Sequence, residues 1–372
     1  MGWGQQPTPE RSRGSGGEDL QPADRSLWRH TLLAALLLVV LLLSACGSNA
    51  SGNSGAYGGS QNHVHDLLLP LGNPGVVLLA THIGLYRSAN LGHTWTEVAG
   101  GSGQTMDGLM IFKLSQSPLD PKRVYVLAIP RPDNPGAAKA PPGVYMSADA
   151  GVTWRLATAA STLPTQTIFT IGAGPTSADQ LFAVISGLNE HGLYETDDAG
   201  QHWRAAPALP ANSIGGVLAD PSQPHHLVMW SVATGLYTSG DDARTWQSVS
   251  AIQGGVYSVS WVHQTLYAVG DSGVYRSTDD GRSFTLADGN DTYSGVVASA
   301  ADPTHAYALT GTSVFASSDG GHSWTATAAL SRHPSVLSAD PSSATTAWVG
   351  LSYPLGVMLT TDGGKTWKQV LP

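Results

Sequence analysis

Residues 317–324 read SSDGGHSW, 360–367 read TTDGGKTW and 147–154 read SADAGVTW. One pattern runs through all three: a hydroxyl residue, Asp two places on, Gly two further, a second hydroxyl residue, then Trp. Four looser copies complete the set. Residues 277–284 (STDDGRSF) end in Phe284, and 88–95 (SANLGHTW) carry Asn90 for the Asp. Residues 196–203 (TDDAGQHW) place His202 before the Trp, and 239–246 (SGDDARTW) have Ala243 for the Gly. The starts lie 59, 49, 43, 38, 40 and 43 residues apart. A period near 40 with several short strands per repeat marks a propeller blade. The expected fold is all-β, a single ring of seven four-stranded antiparallel blades.

One repeat shows the strands. Residues 256–288 give VYSVSWV, TLYAVG, GVYRS and RSFTLAD, each rich in β-branched and aromatic residues and bounded by turn formers. Counted from the axis outward these are strands A to D, with the motif on the C–D turn. The motif carboxylates (Asp149, Asp198, Asp241, Asp279, Asp319 and Asp362, with Asn90 in the first copy) are expected to accept backbone N–H groups two and three residues on, closing an Asx-type turn. Gly281 supplies a left-handed backbone position, and the aromatic enters strand D to pack between blades. A second turn signal, Asp-Pro, recurs between strands A and B at 120–121, 220–221, 302–303 and 340–341.

This pattern resembles the Asp-box (BNR-type) repeat family of sialidases, xyloglucanases, the sortilin luminal domain and the photosystem II assembly/stability factors. The resemblance covers roughly 63–372. It implies a propeller fold and a structural role for the box residues, and says little about activity. The assembly factors are similar in layout: one seven-bladed propeller of about this length, exported, lipid-anchored in some bacteria, and acting by holding other proteins. The concentrated arginine patch of those factors is missing from this sequence.

The N-terminus carries an independent signal. Residues 31–43 (TLLAALLLVVLLL) are 13 apolar residues, short for a membrane span and suited to a signal-peptide core. Arg25, Arg29 and His30 precede them, and Leu43-Ser44-Ala45-Cys46 resembles a bacterial lipobox. Cys46 is the one cysteine of the chain, so no internal disulfide or cysteine-ligated metal is available. The expected organisation is a leader over 1–45, a lipidated Cys46 with a Gly/Ser/Asn tether over 46–62, and the propeller over 63–372. That makes the chain an extracytoplasmic lipoprotein of a bacterial cell membrane.

Composition narrows the partners. The formal net charge is −9, only 12% of residues are charged, and no Lys/Arg run occurs. Nucleic-acid binding needs a basic footprint, so none is expected, and membrane attachment falls to the lipid alone. In a propeller the A–B and C–D turns share one face and the B–C and D–A loops the other. Loops on a rigid scaffold concentrate binding groups. The candidate binding face therefore carries Asp107, Arg131, Asp133, Lys139, Glu190, His191, Asp271, Asp291, Arg332 and His333, with His82 and Tyr353 among their neighbours. The insertion 130–142 (PRPDNPGAAKAPP) is a B–C loop on that face.

Enzyme readings meet obstacles. Resemblance to sialidases implies three arginines on one carboxylate, but Arg87, Arg155, Arg204, Arg244, Arg276 and Arg282 all lie in or beside boxes. A xyloglucanase-like hydrolase needs two carboxylates across a groove. Asp66, Asp107, Asp133, Glu190, Asp271 and Asp291 are the candidates, but that family builds its groove from two tandem propellers. No catalytic residue and no cofactor are assigned. His63-x-His65-Asp66 has the spacing of a metal half-site on a strand, but a partner from elsewhere would be needed. The pair His225-His226 shows no partner in sequence, and the Asp-Asp pairs lack calcium-loop spacing. No metal is expected. A protein client is favoured over a glycan, with a glycoside hydrolase or lectin as the alternative.

If Cys46 is acylated, the wild-type protein partitions into the detergent phase and incorporates labelled palmitate. Cys46→Ser loses the label. Equal labelling of both would contradict the lipobox reading.

Overall fold

The computed structural model describes residues 62–158, 168–186, 191–207, 209–211, 213–220, 222–290 and 292–371. The leader, Cys46, the tether to residue 61, Glu190 and Asp291 lie outside the described residues, as does the His191 side chain. Seven four-stranded antiparallel sheets are present, each built from four strands consecutive in sequence. The blades cover 64–99, 109–156, 168–205, 214–248, 256–288, 295–326 and 334–371. Blade 5 follows the sequence reading closely, with strands Val256–Val262, Thr265–Gly270, Gly273–Ser277 and Thr285–Asp288.

The A strands form the inner ring. Each touches the A strands of both neighbours, and that of blade 1 (Val64–Leu68) touches that of blade 7 (Pro334–Ala339), which closes the circle. The B strands read as continuous apolar runs, such as VLLAT and AWVGL, because both of their faces are buried. Alternate side chains serve opposite interfaces: Leu78 and Ala80 pack toward blade 2, whereas Val77 and Leu79 pack toward blade 7. The core is thus seven clusters, one at each blade–blade interface. Among the described residues no helix is long and apolar enough to cross a membrane.

The repeat motif lies on each C–D turn, and its mechanics differ from the expectation in one respect. Asp149 Oδ1 accepts the N–H groups of Val152 (3.0 Å) and Thr153 (2.9 Å), three and four residues on rather than two and three. Its Oδ2 accepts the Thr153 hydroxyl at 2.6 Å. The leading hydroxyl closes the near end of the turn. Ser147 Oγ donates to Asp149 at 2.7 Å and accepts the N–H groups of Asp149 and Gly151. The bond two residues on belongs to the Asp-Pro turns instead, where Asp120, Asp220, Asp302 and Asp340 accept from Lys122, Ser222, Thr304 and Ser342.

The larger loop enclosed by the motif requires two successive left-handed residues, Ala150 (φ 57°) then Gly151 (φ 85°), and a like pair stands in every copy. The motif aromatic then packs against the preceding blade. Trp154 joins the interface of blades 1 and 2, Phe284 that of blades 4 and 5, and Trp95 that of blades 7 and 1. The Trp95 indole N–H donates to the Val370 carbonyl of blade 7 at 3.3 Å, across the ring closure.

A feature with no counterpart in the sequence reading recurs at the other end of the A strands. In six of the seven blades the A–B ladder slips by one residue near the start of strand A. Blade 6 pairs without a slip. The extra residues are His65, Phe112, Phe169, Gly215, Tyr257 and Ser335. A bulge re-aims a side chain, and these six bulges stand around the inner ring at the end that carries the D–A and B–C loops.

The two left-handed positions make a separable prediction. An added Cβ at Gly363 meets nothing within 4 Å, whereas at Gly151 it would lie 2.6 Å from Leu78 Cδ2 of the preceding blade. Gly363→Ala should cost about 1 kcal/mol, from backbone strain alone. Gly151→Ala adds overpacking and should cost about 2–4 kcal/mol. Urea unfolding of both variants checks the order, and equal losses would contradict it.

Candidate functional site

Among the described residues, the structure sorts the candidate residues of the loops opposite the motif into structural groups and one cluster. Asp107, in the D–A loop after blade 1, accepts the Gly103 N–H at 2.7 Å. Its backbone carbonyl accepts the N–H groups of Lys139 and Ala140, pinning the base of the insertion, and the Lys139 ammonium stands 3.8 Å from its carboxylate. Asp271 accepts the Gly255 N–H at 2.7 Å and the Tyr257 hydroxyl, holding the entry to blade 5. Arg332 donates to the Pro354 carbonyl, and the His333 carbonyl accepts from Ser352, so these two knit the loops of blade 7 together. The insertion itself forms a short 3-10 turn over Pro135–Ala137.

The cluster lies where blades 7, 1 and 2 meet. His63 precedes strand A of blade 1, His65 is its bulge residue, and His82 follows strand B. The hairpin brings His82 opposite His63, and the His82 N–H donates to the His63 carbonyl at 3.1 Å. The rings gather tightly: His63 is centred 4.4 Å from His65 and 5.0 Å from His82. Tyr353 from blade 7 leans on His63 at 4.4 Å, and Phe112 from blade 2 lies 5.6 Å from His65. The insertion reaches in from above, with Asp133 Oδ1 2.7 Å from His82 Nε2.

Electrostatics follow from this crowding. Burial first, and then the nearness of His63 and His82, push the His65 imidazole down to about 3, so this ring is neutral at physiological pH. Burial alone would raise Asp133, but its bond to His82, the charge of that ring and the Arg131 guanidinium outweigh it and hold the carboxyl below its ordinary range. The Tyr353 hydroxyl is pushed up by burial and by the facing Asp133 charge.

The three residues His63-x-His65-Asp66 do not act as one set. Alternation along the strand turns Asp66 the other way, where it bonds the Lys113 ammonium and the Leu114 N–H, both at 2.9 Å. His225 and His226, without visible partners in the sequence, pair with Asp242 and Asp220 on the motif side. An open cleft of about 690 Å3 between blades 6 and 7 lies on that side too. It is lined by turn residues such as Thr327, Thr345 and Asp362, and Asp362 is already spent on its own turn. The sequence reading missed Phe112 as a site residue. Its signal was its place in the repeat, at the bulge of blade 2 that corresponds to the bulge of blade 1 holding His65.

No family model matches the chain, and no curated protein matches it in sequence. Solved structures do share its fold. The GH74 xyloglucanase of Xanthomonas campestris superposes with a TM-score of 0.64 at 17% identity, over 84% of this chain and 55% of the enzyme. The chain therefore spans about half the length of that enzyme. YCF48 of Cyanidioschyzon merolae gives 0.56 at 15% identity, over 82% of this chain and 96% of its own. YCF48 bound to a D1 peptide gives 0.51 at 15% identity, over 72% of this chain and 82% of its own. These are the assembly-factor and xyloglucanase propellers that the motif resemblance implied. Identities this low speak to fold alone.

Proposed function

We propose that this chain is an exported, lipid-anchored propeller that works without catalysis, as a recognition or assembly scaffold for a protein client held on its loop-rich face. One observation carries the reading: the described candidate carboxylates on or near that face are committed to holding the protein together. Asp66 braces blade 2, Asp107 the insertion, Asp133 the His82 ring and Asp271 the entry to blade 5. A glycosidase needs one carboxyl kept protonated and a second carboxylate held across the bond to be cut. A scaffold needs a rigid face with a projecting, proline-stiffened loop, which 130–142 supplies. The YCF48 complex with a D1 peptide supports a peptide-holding role for a propeller of this extent. Cys46 would supply the anchor and the tether the reach.

A second reading, a glycan-binding or glycan-cleaving protein, is favoured by the aromatic residues at the inner bulges, Phe112, Phe169 and Tyr257, and by Tyr353 against His63. Sugars stack on such rings.

One comparison separates the two. Residues 46–372 and a form with 130–142 shortened to two residues are cross-linked to host envelope protein and assayed on a polysaccharide panel. The scaffold reading expects a discrete protein cross-link that the shortened form loses, and no hydrolysis. Polysaccharide hydrolysis abolished by Asp66→Asn, Asp107→Asn or Asp271→Asn would overturn it.

A further inference from the structure

Three imidazoles from two chain segments converge at the loop-side end of blade 1. One nitrogen each of His63, His65 and His82 lies within 4.8 Å of the other two. The chemistry of the individual nitrogens is more telling than their proximity. A carboxylate can only accept, so the 2.7 Å contact of Asp133 Oδ1 with His82 Nε2 requires the proton on Nε2. In the neutral ring that leaves a lone pair on His82 Nδ1, and this atom is buried with no hydrogen-bond partner; the residue is 7% exposed. His65 Nε2 is likewise buried without a partner. Orphaned buried polar atoms are costly and call for an explanation. Two of them in one three-histidine cluster have a natural one.

We propose that His63, His65 and His82 form a binding site for a borderline divalent transition metal such as zinc, with a fourth coordination position left for water or a ligand. Three histidines and an open position is an arrangement zinc uses where it is not sealed off by protein. Zinc–nitrogen bonds of about 2.0–2.1 Å place ligand nitrogens roughly 3.4 Å apart in a tetrahedron, somewhat closer than the spacing of up to 4.8 Å seen here. An all-imidazole set suits zinc, copper or nickel and not calcium or magnesium, which take oxygen ligands. Asp133 serves as the outer carboxylate that fixes the ring tautomer of a ligating histidine. It is therefore a positioning residue, and it lies in the 130–142 insertion. An ion here would tie the projecting loop to the inner strand of blade 1. Asp66 takes no part, being bound to Lys113 and Leu114. The inference is independent of whether the client is protein or glycan.

The test uses residues 46–372, stripped with a chelator and titrated with zinc(II) by calorimetry and with cobalt(II) by absorption. The expected result is one metal per chain, with the visible bands of low-coordinate cobalt and no thiolate charge transfer. His65→Ala and His82→Ala should lose that equivalent. His305→Ala, altering a ring paired with Asp302 on the motif side, should keep it. Asp133→Asn should weaken binding about 10- to 100-fold. Failure of the wild-type chain to take up a stoichiometric ion would overturn the proposal, as would wild-type affinity in His82→Ala. Should either histidine variant fail to fold, unchanged affinity in Asp133→Asn, a change at a partly exposed side chain, would overturn it by itself.

Discussion

Everything in this ring depends on one small construction, the turn in which a hydroxyl and a carboxylate two residues apart fold the chain over two left-handed residues. Ser317 and Asp319 show its economy. The Ser317 hydroxyl takes the Gly321 N–H at 2.9 Å, and the Asp319 carboxylate takes the Ser323 N–H and hydroxyl. The N–H groups of Asp319, Gly321 and Ser323 are thereby satisfied within the turn, and Trp324 is delivered to the blade before. Without that delivery strand D would be a short edge with little apolar surface of its own. Strand D of blade 6 is only Thr325–Ala326, both exposed.

The consequence for function is a division between two ends of the ring. The motif end has its polar groups spent on turns: box carboxylates, Asp-Pro turns and the His–Asp pairs at 226–220 and 305–302. The opposite end is held by backbone pairing, by bulges and by the loop contacts of Asp107, Asp133 and Asp271. The bulges place His65, Phe112, Phe169 and Tyr257 around the inner ring, while the longest described loop on that end, 130–142, arches from blade 2 to touch blade 1 through Asp133.

The repeats were legible because the turn demands particular residues at fixed spacing: a hydroxyl, Asp and then Gly cannot be exchanged freely there. Strand positions in blade 5 came through for the same reason, since turn formers bound each run. The metal-binding geometry was not legible. It rests on the register of one hairpin, which sets His82 opposite His63, and on a single-residue bulge that re-aims His65. Both are properties of pairing between strands, and the spacing of His63, His65 and Asp66 along one strand does not carry them. The partners of Asp107, Asp133 and Asp271 were hidden in the same way: each carboxylate looked free in sequence and is committed in space.

The carboxylate turn can be tested through its protons. Burial would raise Asp149, Asp198 and Asp279, but the bonds each accepts from the turn reverse this. At Asp241, Asp319 and Asp362 those bonds dominate outright. All six are lowered, with Asp198, Asp319 and Asp362 held at about 2 against an ordinary 3.8. The folded chain thus binds fewer protons than the unfolded one between those values, and stability contributed by the turns is present above about pH 4 and lost as pH falls toward 2. The decisive measurement is the urea midpoint of residues 46–372 from about pH 5 to about pH 2.5, alongside Asp362→Asn. The account predicts a continuing fall below pH 4 for the wild type. The variant should start lower at pH 5 and fall less. A midpoint that stays level across this range, or a variant as stable as wild type at pH 5, would contradict it.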